Sequence, residues 1–116
     1  TTTAAAAAAP GRASPVPASV GPLRGIGPLH GVPVTIKERF AVIGMRVTGG
    51  SLAWADLPPQ TEDATTVARL RAAGAIIIAT TNEPELGLAF ETDNLVYGRT
   101  LNPWRLDRTC GGSSGG

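Results

Sequence analysis

The chain has 116 residues, which is enough for one small domain with a modest hydrophobic core. Ten basic and nine acidic side chains leave a formal net charge of +1, and aromatic residues make up only 4 % of the chain. The chain therefore has neither a strongly basic surface nor a row of aromatic rings. This argues against a nucleic-acid-binding protein and against one held on an anionic membrane.

The chain also lacks the residues for disulfide or metal chemistry. It has one cysteine, Cys110, and one histidine, His30. A disulfide framework or one of the usual zinc arrangements needs more of these residues, so we expect neither. A Ser–His triad within this chain is disfavoured for the same reason, and we expect His30 to be a loop residue.

No segment is expected to cross a membrane. The strongest apolar run, residues 75–79, is far shorter than a bilayer-spanning helix. The alanine run at residues 4–9 has no basic residues before it, unlike a secretory signal, so we expect a cytoplasmic protein. Because the chain begins at Thr1 and stops at Gly116 inside a glycine-serine run, we also expect it to be part of a longer protein.

The first 27 residues are low in complexity and rich in alanine, proline, glycine and serine. Residues 4–9 are predicted to form the last part of a helix, which Pro10 would end. The rest of this segment is typical of a linker or surface arm. We therefore expect residues 1–27 to be an arm or linker. Residues 28–116 are expected to form the N-terminal part of an incomplete domain.

The first predicted strand covers residues 32–37, "VPVTIK", which are mostly β-branched. Pro33 fits an edge strand or the start of a strand. The strand ends at Lys37, the only lysine beside nine arginines. An arginine keeps its proton in a protein, whereas a lysine in a low-dielectric site can release it. The strand's own valine and isoleucine side chains are expected to supply such surroundings, so Lys37 is a candidate general base.

The clearest helix is predicted over Ala64–Ala73. Asp63 precedes it as the expected N-cap, and Gly74 follows it at the position where a helix often ends in a left-handed residue. The small and apolar residues of this segment recur at a spacing that keeps them on one helix face. They are Ala64, Val67, Leu70 and Ala73.

A second strand is predicted at residues 75–80, "AIIIAT", and its apolar run is typical of a buried strand. Strand, helix and strand in this order predict a βαβ unit, hence an α/β protein with a mixed, mainly parallel sheet and flanking helices. Open sheets of this kind place their sites beyond the carboxyl ends of the strands. Lys37 and Asn82 lie there, as do Glu83 and Glu85, although this carboxylate pair is expected in a solvated loop.

Residues 86–110 are predicted to be mostly loop, and the chain ends with "GGSSGG", residues 111–116. A flexible linker is one interpretation of this composition. A phosphate-binding loop is excluded because no Gly-Lys-Ser/Thr follows. The remaining interpretations are a G-x-S-x-G nucleophile elbow centred on Ser113 and a serine–lysine pair formed with Lys37.

Three separated stretches carry a family resemblance: "GPLHGVPVTIKE", "TEDATTVARLRAAGAIIIATTNEPEL" and "ETDNLVYGRTLNPWRLDRTCGGSSGG". Together they cover most of residues 27–116, and in this order and spacing the chain resembles the amidase signature family. The resemblance implies an α/β amidase-signature fold. It also implies an amidase that cleaves carboxamides through an acyl-serine intermediate without metal or cofactor. The expected partner is a small-molecule amide, and a homodimer of the full-length enzyme is a further expectation.

The resemblance also implies a Ser–cis-Ser–Lys triad. Lys37 matches its lysine, and Ser113 matches the serine that follows a cis peptide bond and relays a proton. The nucleophilic serine and the oxyanion hole of the family lie beyond Gly116. Supporting roles fall to Ser114 and to the two glycines that precede the serine pair. These glycines are Gly111 and Gly112.

This chain departs from the family's usual pattern at three positions. Glu38 follows the lysine where aspartate is common, Cys110 stands where proline is common, and Glu83 stands where methionine often follows the Thr-Asn pair. Three rival interpretations stay open. One is the glutamine-hydrolysing subunit of a tRNA-dependent amidotransferase, the second is an α/β-hydrolase esterase, and the third is a non-enzymatic fragment.

Overall fold

The structure is a computed structural model, and it describes residues 26–116. The predicted helix end at residues 4–9 lies outside the described residues. So does the predicted arm, apart from its last two residues. In the described part, none of the helices is long and apolar enough to pass through a bilayer.

A parallel βαβ unit forms the centre of the described part. Strand β1, Pro33–Lys37, is followed by helix α1, Thr65–Ala72, and by strand β2, Ile76–Thr81. β1 and β2 pair in parallel, with Lys37 opposite Thr81 at their carboxyl ends. The prediction of an α/β fold with a parallel sheet is therefore confirmed. Single 3₁₀ turns at Leu52–Trp54 and Glu85–Gly87 lie in the connections.

Helix α1 begins one residue later than predicted, and Asp63 is not its N-cap. The N-cap is Ala64, which makes no side-chain capping bond. The Asp63 carboxylate instead accepts hydrogen bonds from the Ile43 backbone N–H at 2.8 Å and from Arg71 Nε at 2.7 Å. The Ile43 N–H, and after it the Arg71 guanidinium, hold the pKa of Asp63 below its ordinary value of 3.8. A long-range contact thus overrides the local capping pattern.

The end of α1 agrees with the prediction. Gly74 has a φ of +94° and follows the C-cap Ala73. The Gly74 N–H donates to the Arg71 carbonyl, and the Ala75 N–H donates to the Leu70 carbonyl, which is the Schellman pattern. This turn leads directly into β2.

The hydrophobic core lies between α1 and one face of the β1–β2 pair. Ile36, Val42 and Val67 are buried, and the predicted apolar face of α1 packs here. The prediction that β2 is a buried strand is wrong for this chain. Ile76 and Ile78 are 53 % and 58 % exposed, because side chains alternate across a strand and α1 covers only one face. The partly buried residues packed on the core are Val34, Met45, Ala64, Leu70 and Ile77.

Residues 86–110 contain an antiparallel hairpin that the sequence analysis missed. Strand β3, Leu101–Asn102, pairs with strand β4, Arg105–Thr109. The Asn102 side chain holds the turn, since its Oδ1 accepts the Trp104 N–H and its Nδ2 donates to the Thr109 carbonyl. The Asn-Pro pair before Trp104 was the signal for this turn. The hairpin leads the chain into residues 110–116.

Candidate active site

The structure brings Lys37 and Ser113 together, although they are 76 positions apart in sequence. Lys37 Nζ donates a hydrogen bond of 2.8 Å to Ser113 Oγ. Lys37 is the last residue of β1, and Ser113 lies in the segment that follows β4. The lysine side chain is 17 % exposed. This ammonium–hydroxyl contact is the pairing expected of a serine–lysine relay.

Hydrogen bonds hold the C-terminal segment against the body of the chain and also close its own turn. The Gly115 N–H donates to the Asn82 carbonyl at 3.3 Å, just beyond β2. Thr92 Oγ1 donates to the Gly111 carbonyl at 2.9 Å, and Cys110 Sγ donates to the Gly115 carbonyl at 3.3 Å. The thiol therefore closes the turn that presents Ser113.

The glycines beside the serine pair lie against other parts of the chain. A Cβ at Gly112 would lie 3.1–3.2 Å from backbone atoms of residues 89–90, and one at Gly115 would overlap the Thr92 side chain. The peptide bond between Gly112 and Ser113 is cis. Close contact between segments is therefore one reason for glycine at both positions.

Glu83 lies beside Lys37, beyond the carboxyl end of β2 as expected, but its burial was not foreseen. Its side chain is only 1 % exposed, and its Oε2 lies 3.1 Å from Arg39 Nε and 3.5 Å from Lys37 Nζ. Its Oε1 is buried without a hydrogen-bond partner among residues 26–116. The expectation of a solvated loop is wrong for Glu83, whereas Glu85 is exposed. Pairing with two cations offsets the cost of burying the carboxylate.

The surroundings of Lys37 therefore differ from the apolar environment predicted for it. Side chains alternate along β1, so Ile36 and Val34 point into the core beneath α1 while Lys37 points to the opposite face. On that face it contacts the Ser113 hydroxyl and the Glu83 carboxylate. The side chain of Lys37 is therefore surrounded by polar and charged groups and not by apolar ones.

Glu38 is fixed on the other side of the strand end. It is 3 % exposed, and its carboxylate accepts the backbone N–H groups of Thr48 and Gly49. Tyr97 donates its phenolic O–H to the same carboxylate at 3.2 Å. Burial, with a contribution from the Glu38 charge, raises the pKa of Tyr97 above its usual 10.0, so the phenol keeps its proton. Glu38 forms no ion pair with Lys37 in the described part of the chain, as expected for strand neighbours.

Asn94 fixes the loop that carries Glu83. Its Nδ2 donates to Asn82 Oδ1 and to the Glu83 carbonyl, both at 2.7 Å. Its Oδ1 accepts the backbone N–H groups of Val96 and Tyr97. Asn94 is buried, and this network orders the chain beyond β2. No periodic pattern pointed to this role, since a single asparagine in a loop is also typical of a turn.

The other candidate residues take no part in this cluster. The Ser114 side chain is exposed, and it makes no hydrogen bond to the rest of residues 26–116. His30 lies in the exposed loop before β1, as expected. Within the described residues, no group of three or more His, Cys, Asp or Glu side chains is arranged to hold a metal ion.

A family model described as Amidase matches residues 2–116. Among similar proteins, the acylamidase of Rhodococcus erythropolis is 50 % identical over 89 residues, covering 77 % of this chain and 18 % of the relative. A glutamyl-tRNA(Gln) amidotransferase subunit of Acidothermus cellulolyticus is 45 % identical over 94 residues, covering 78 % of this chain and 18 % of that protein.

The solved structure of the peptide amidase from Stenotrophomonas maltophilia is also similar. It superposes with a TM-score of 0.69 at 35 % identity, over 76 % of this chain and 19 % of that one. The chain thus spans about a fifth of the length of these relatives. Since the family model covers nearly the whole sequence, the chain belongs to the amidase family.

Proposed function

We propose that the full-length protein carrying this chain is an amidase that hydrolyses the C–N bond of a linear carboxamide. The products are a carboxylic acid and ammonia or an amine, formed through an acyl-serine intermediate. The 2.8 Å hydrogen bond between Lys37 and Ser113 carries the proposal, because it joins a base to a hydroxyl at the end of a β-strand. Membership of the amidase family supports it independently.

Lys37 is the proposed general base and Ser113 the proposed proton relay. In its neutral form Lys37 accepts the Ser113 proton while Ser113 accepts one from the nucleophilic serine, which lies beyond Gly116. The same path in reverse delivers the proton to the leaving amine. Because Ser113 Oγ lies 2.8 Å from the lysine nitrogen, the transfer between them requires no bridging water.

The neighbours of Ser113 have supporting roles in this proposal. The Gly111 backbone is fixed at both ends, since its N–H donates to Thr109 Oγ1 and its carbonyl accepts Thr92 Oγ1. Gly112 allows the segment to lie against residues 89–90. Ser114 is exposed here, which leaves its hydroxyl free to bond the remainder of the full-length chain.

The proposed substrate is a small-molecule amide, and the proposed chemistry runs without metal or cofactor. A homodimer of the full-length protein stays a prediction, as does a cytoplasmic location. The division of the chain into an arm, residues 1–27, and the N-terminal part of an amidase-signature domain, residues 28–116, is also proposed.

The test replaces the two relay residues in the full-length protein. We expect Lys37→Ala and Ser113→Ala to lower kcat for hydrolysis of a chromogenic anilide by roughly 10²–10⁴-fold, the usual contribution of a positioned proton-transfer group. The control is Ser51→Ala, because the Ser51 side chain makes no capping bond and lies outside the cluster.

Activity of either relay variant within a few-fold of the unmodified protein would contradict the assignment. Hydrolysis restricted to glutamine and dependent on added partner proteins would instead identify a component of an amidotransferase.

A further inference from the structure

A line of three charged groups leads to the Ser113 hydroxyl. Arg39 Nε lies 3.1 Å from Glu83 Oε2, the same oxygen lies 3.5 Å from Lys37 Nζ, and Lys37 Nζ lies 2.8 Å from Ser113 Oγ. Of these residues, the mechanism above uses only Lys37 and Ser113. It leaves a buried carboxylate beside the base without a function.

The carboxylate is well placed to control the base. Glu83 is fully buried, so its interaction with Lys37 is weakly screened by solvent. The Asn94 side chain holds its backbone, and Arg39 holds the oxygen that faces Lys37. Arg39 is 44 % exposed, so its influence on the pair is weaker than that of Glu83 on Lys37.

We propose that Glu83 is a positioning residue whose charge holds Lys37 towards Ser113 and influences how the reaction responds to pH, while Arg39 partly offsets this effect. The inference rests on the proposed function, because it assigns to Glu83 the control of the same relay. Its effect is electrostatic, and Glu83 itself exchanges no proton in the reaction.

The other charged and titratable groups around the strand ends are engaged elsewhere. Glu38 accepts two backbone N–H groups and the Tyr97 phenol on the opposite side of the strand. The Cys110 thiol donates to the Gly115 carbonyl of its own turn. On α1, Arg71 is paired with Asp63. Among the described residues, Glu83 is therefore the only carboxylate paired with Lys37.

The test is the pH dependence of kcat/KM in the full-length protein, whose acidic limb reports the essential base of the free enzyme. Glu83→Gln removes the negative charge beside the proposed base, so the acidic limb should move to lower pH by about one unit. Arg39→Gln removes the positive charge that partly offsets Glu83, so the acidic limb should move to higher pH, by a smaller amount. Shifts of opposite sign distinguish control of the base from a purely structural role.

The matched control is Glu85→Gln, an exposed glutamate two residues away, which should leave the limb in place. An unmoved limb in Glu83→Gln, with Lys37→Ala still inactive, would overturn this inference and leave the proposed function standing. An active Lys37→Ala would overturn the proposed function. If Glu83→Gln does not fold, Arg39→Gln decides, and an unmoved or lowered limb in that variant overturns the inference.

Discussion

Lys37 lies between a hydroxyl that accepts its hydrogen bond and a buried carboxylate 3.5 Å away. The proposed relay needs a base that can release its proton, which a lysine can do in a protein and an arginine cannot. An arginine at this position would satisfy Glu83 alone. The chemistry of the site therefore gives a reason for the single lysine in a chain that otherwise uses arginine.

The corresponding prediction is that Lys37→Arg damages the full-length enzyme as much as Lys37→Ala does. A guanidinium keeps the ion pair with Glu83 but does not lose its proton, so kcat should fall by roughly 10²–10⁴-fold in both variants. Steady-state kinetics on one amide substrate, with folding checked by circular dichroism, measures this. Most of the activity surviving in the arginine variant would mean that charge alone is required.

Glu83 shows where prediction from sequence failed at this scale. It precedes Pro84 and lies two positions from another glutamate, a pattern typical of an exposed loop. Burial of Glu83 depends on Lys37 at the end of β1 and on Arg39, which lies 44 positions earlier in the chain. The sequence signals were its place just beyond the carboxyl end of β2 and its departure from the methionine usual in the family.

At the scale of elements, the turn between α1 and β2 sets the position of the site. Gly74 ends the helix in a left-handed conformation, and its carbonyl accepts the Gly31 N–H from the loop before β1. A Cβ at Gly74 would lie 2.8 Å from His30 Cα. The helix end therefore packs tightly on the segment that leads to Lys37.

We expect Gly74→Ala to lower the free energy of unfolding of the full-length protein. The left-handed backbone costs an alanine about 1 kcal/mol, and the clash with His30 adds about 1–3 kcal/mol. Urea denaturation measures the loss. The matched control is Gly44→Ala, because Gly44 also has a positive φ, of +81°, but nothing lies within 4 Å of its Cβ position. Equal losses in the two variants would show that the His30 contact relaxes freely.

The two strands of the hairpin show a different limit of prediction. β1, α1 and β2 were predicted from β-branched runs and from helical periodicity. Both are local patterns of the sequence that do not depend on tertiary contacts. β3 and β4 have no such pattern, since Arg105–Thr109 is largely charged and exposed. Their pairing depends on the turn held by the Asn102 side chain.

At the scale of the whole molecule, residues 26–116 leave many apolar side chains uncovered. Trp104 is 90 % exposed and Phe90 is 89 % exposed, and one face of β2 is open. The chain spans about a fifth of the length of its relatives. We therefore expect the remainder of the full-length protein to cover this surface. The same part is expected to supply the nucleophilic serine.

We therefore expect the 116-residue chain alone to be catalytically inert. In the proposed mechanism the nucleophilic serine and the oxyanion hole lie beyond Gly116, and oxyanion donors alone are worth roughly 10²–10³-fold. A fluorophosphonate probe should label the full-length protein and leave the isolated chain unlabelled. Labelling of the isolated chain at the rate of the full-length enzyme would mean that a serine within these residues is the nucleophile.

Local patterns in the sequence were enough to predict the parallel strand–helix–strand unit, the placement of Lys37 at a strand end, and the resemblance to the amidase family. They consist of β-branched runs, helical periodicity and motif spacing, none of which needs a folded chain. The groups that surround Lys37 became visible only in the folded chain. Side-chain alternation turns Ile36 towards α1, and long-range contacts bring Glu83 and Ser113 to the other face. Contacts between distant residues carry no local pattern, so the electrostatics of the site arise from the fold as a whole.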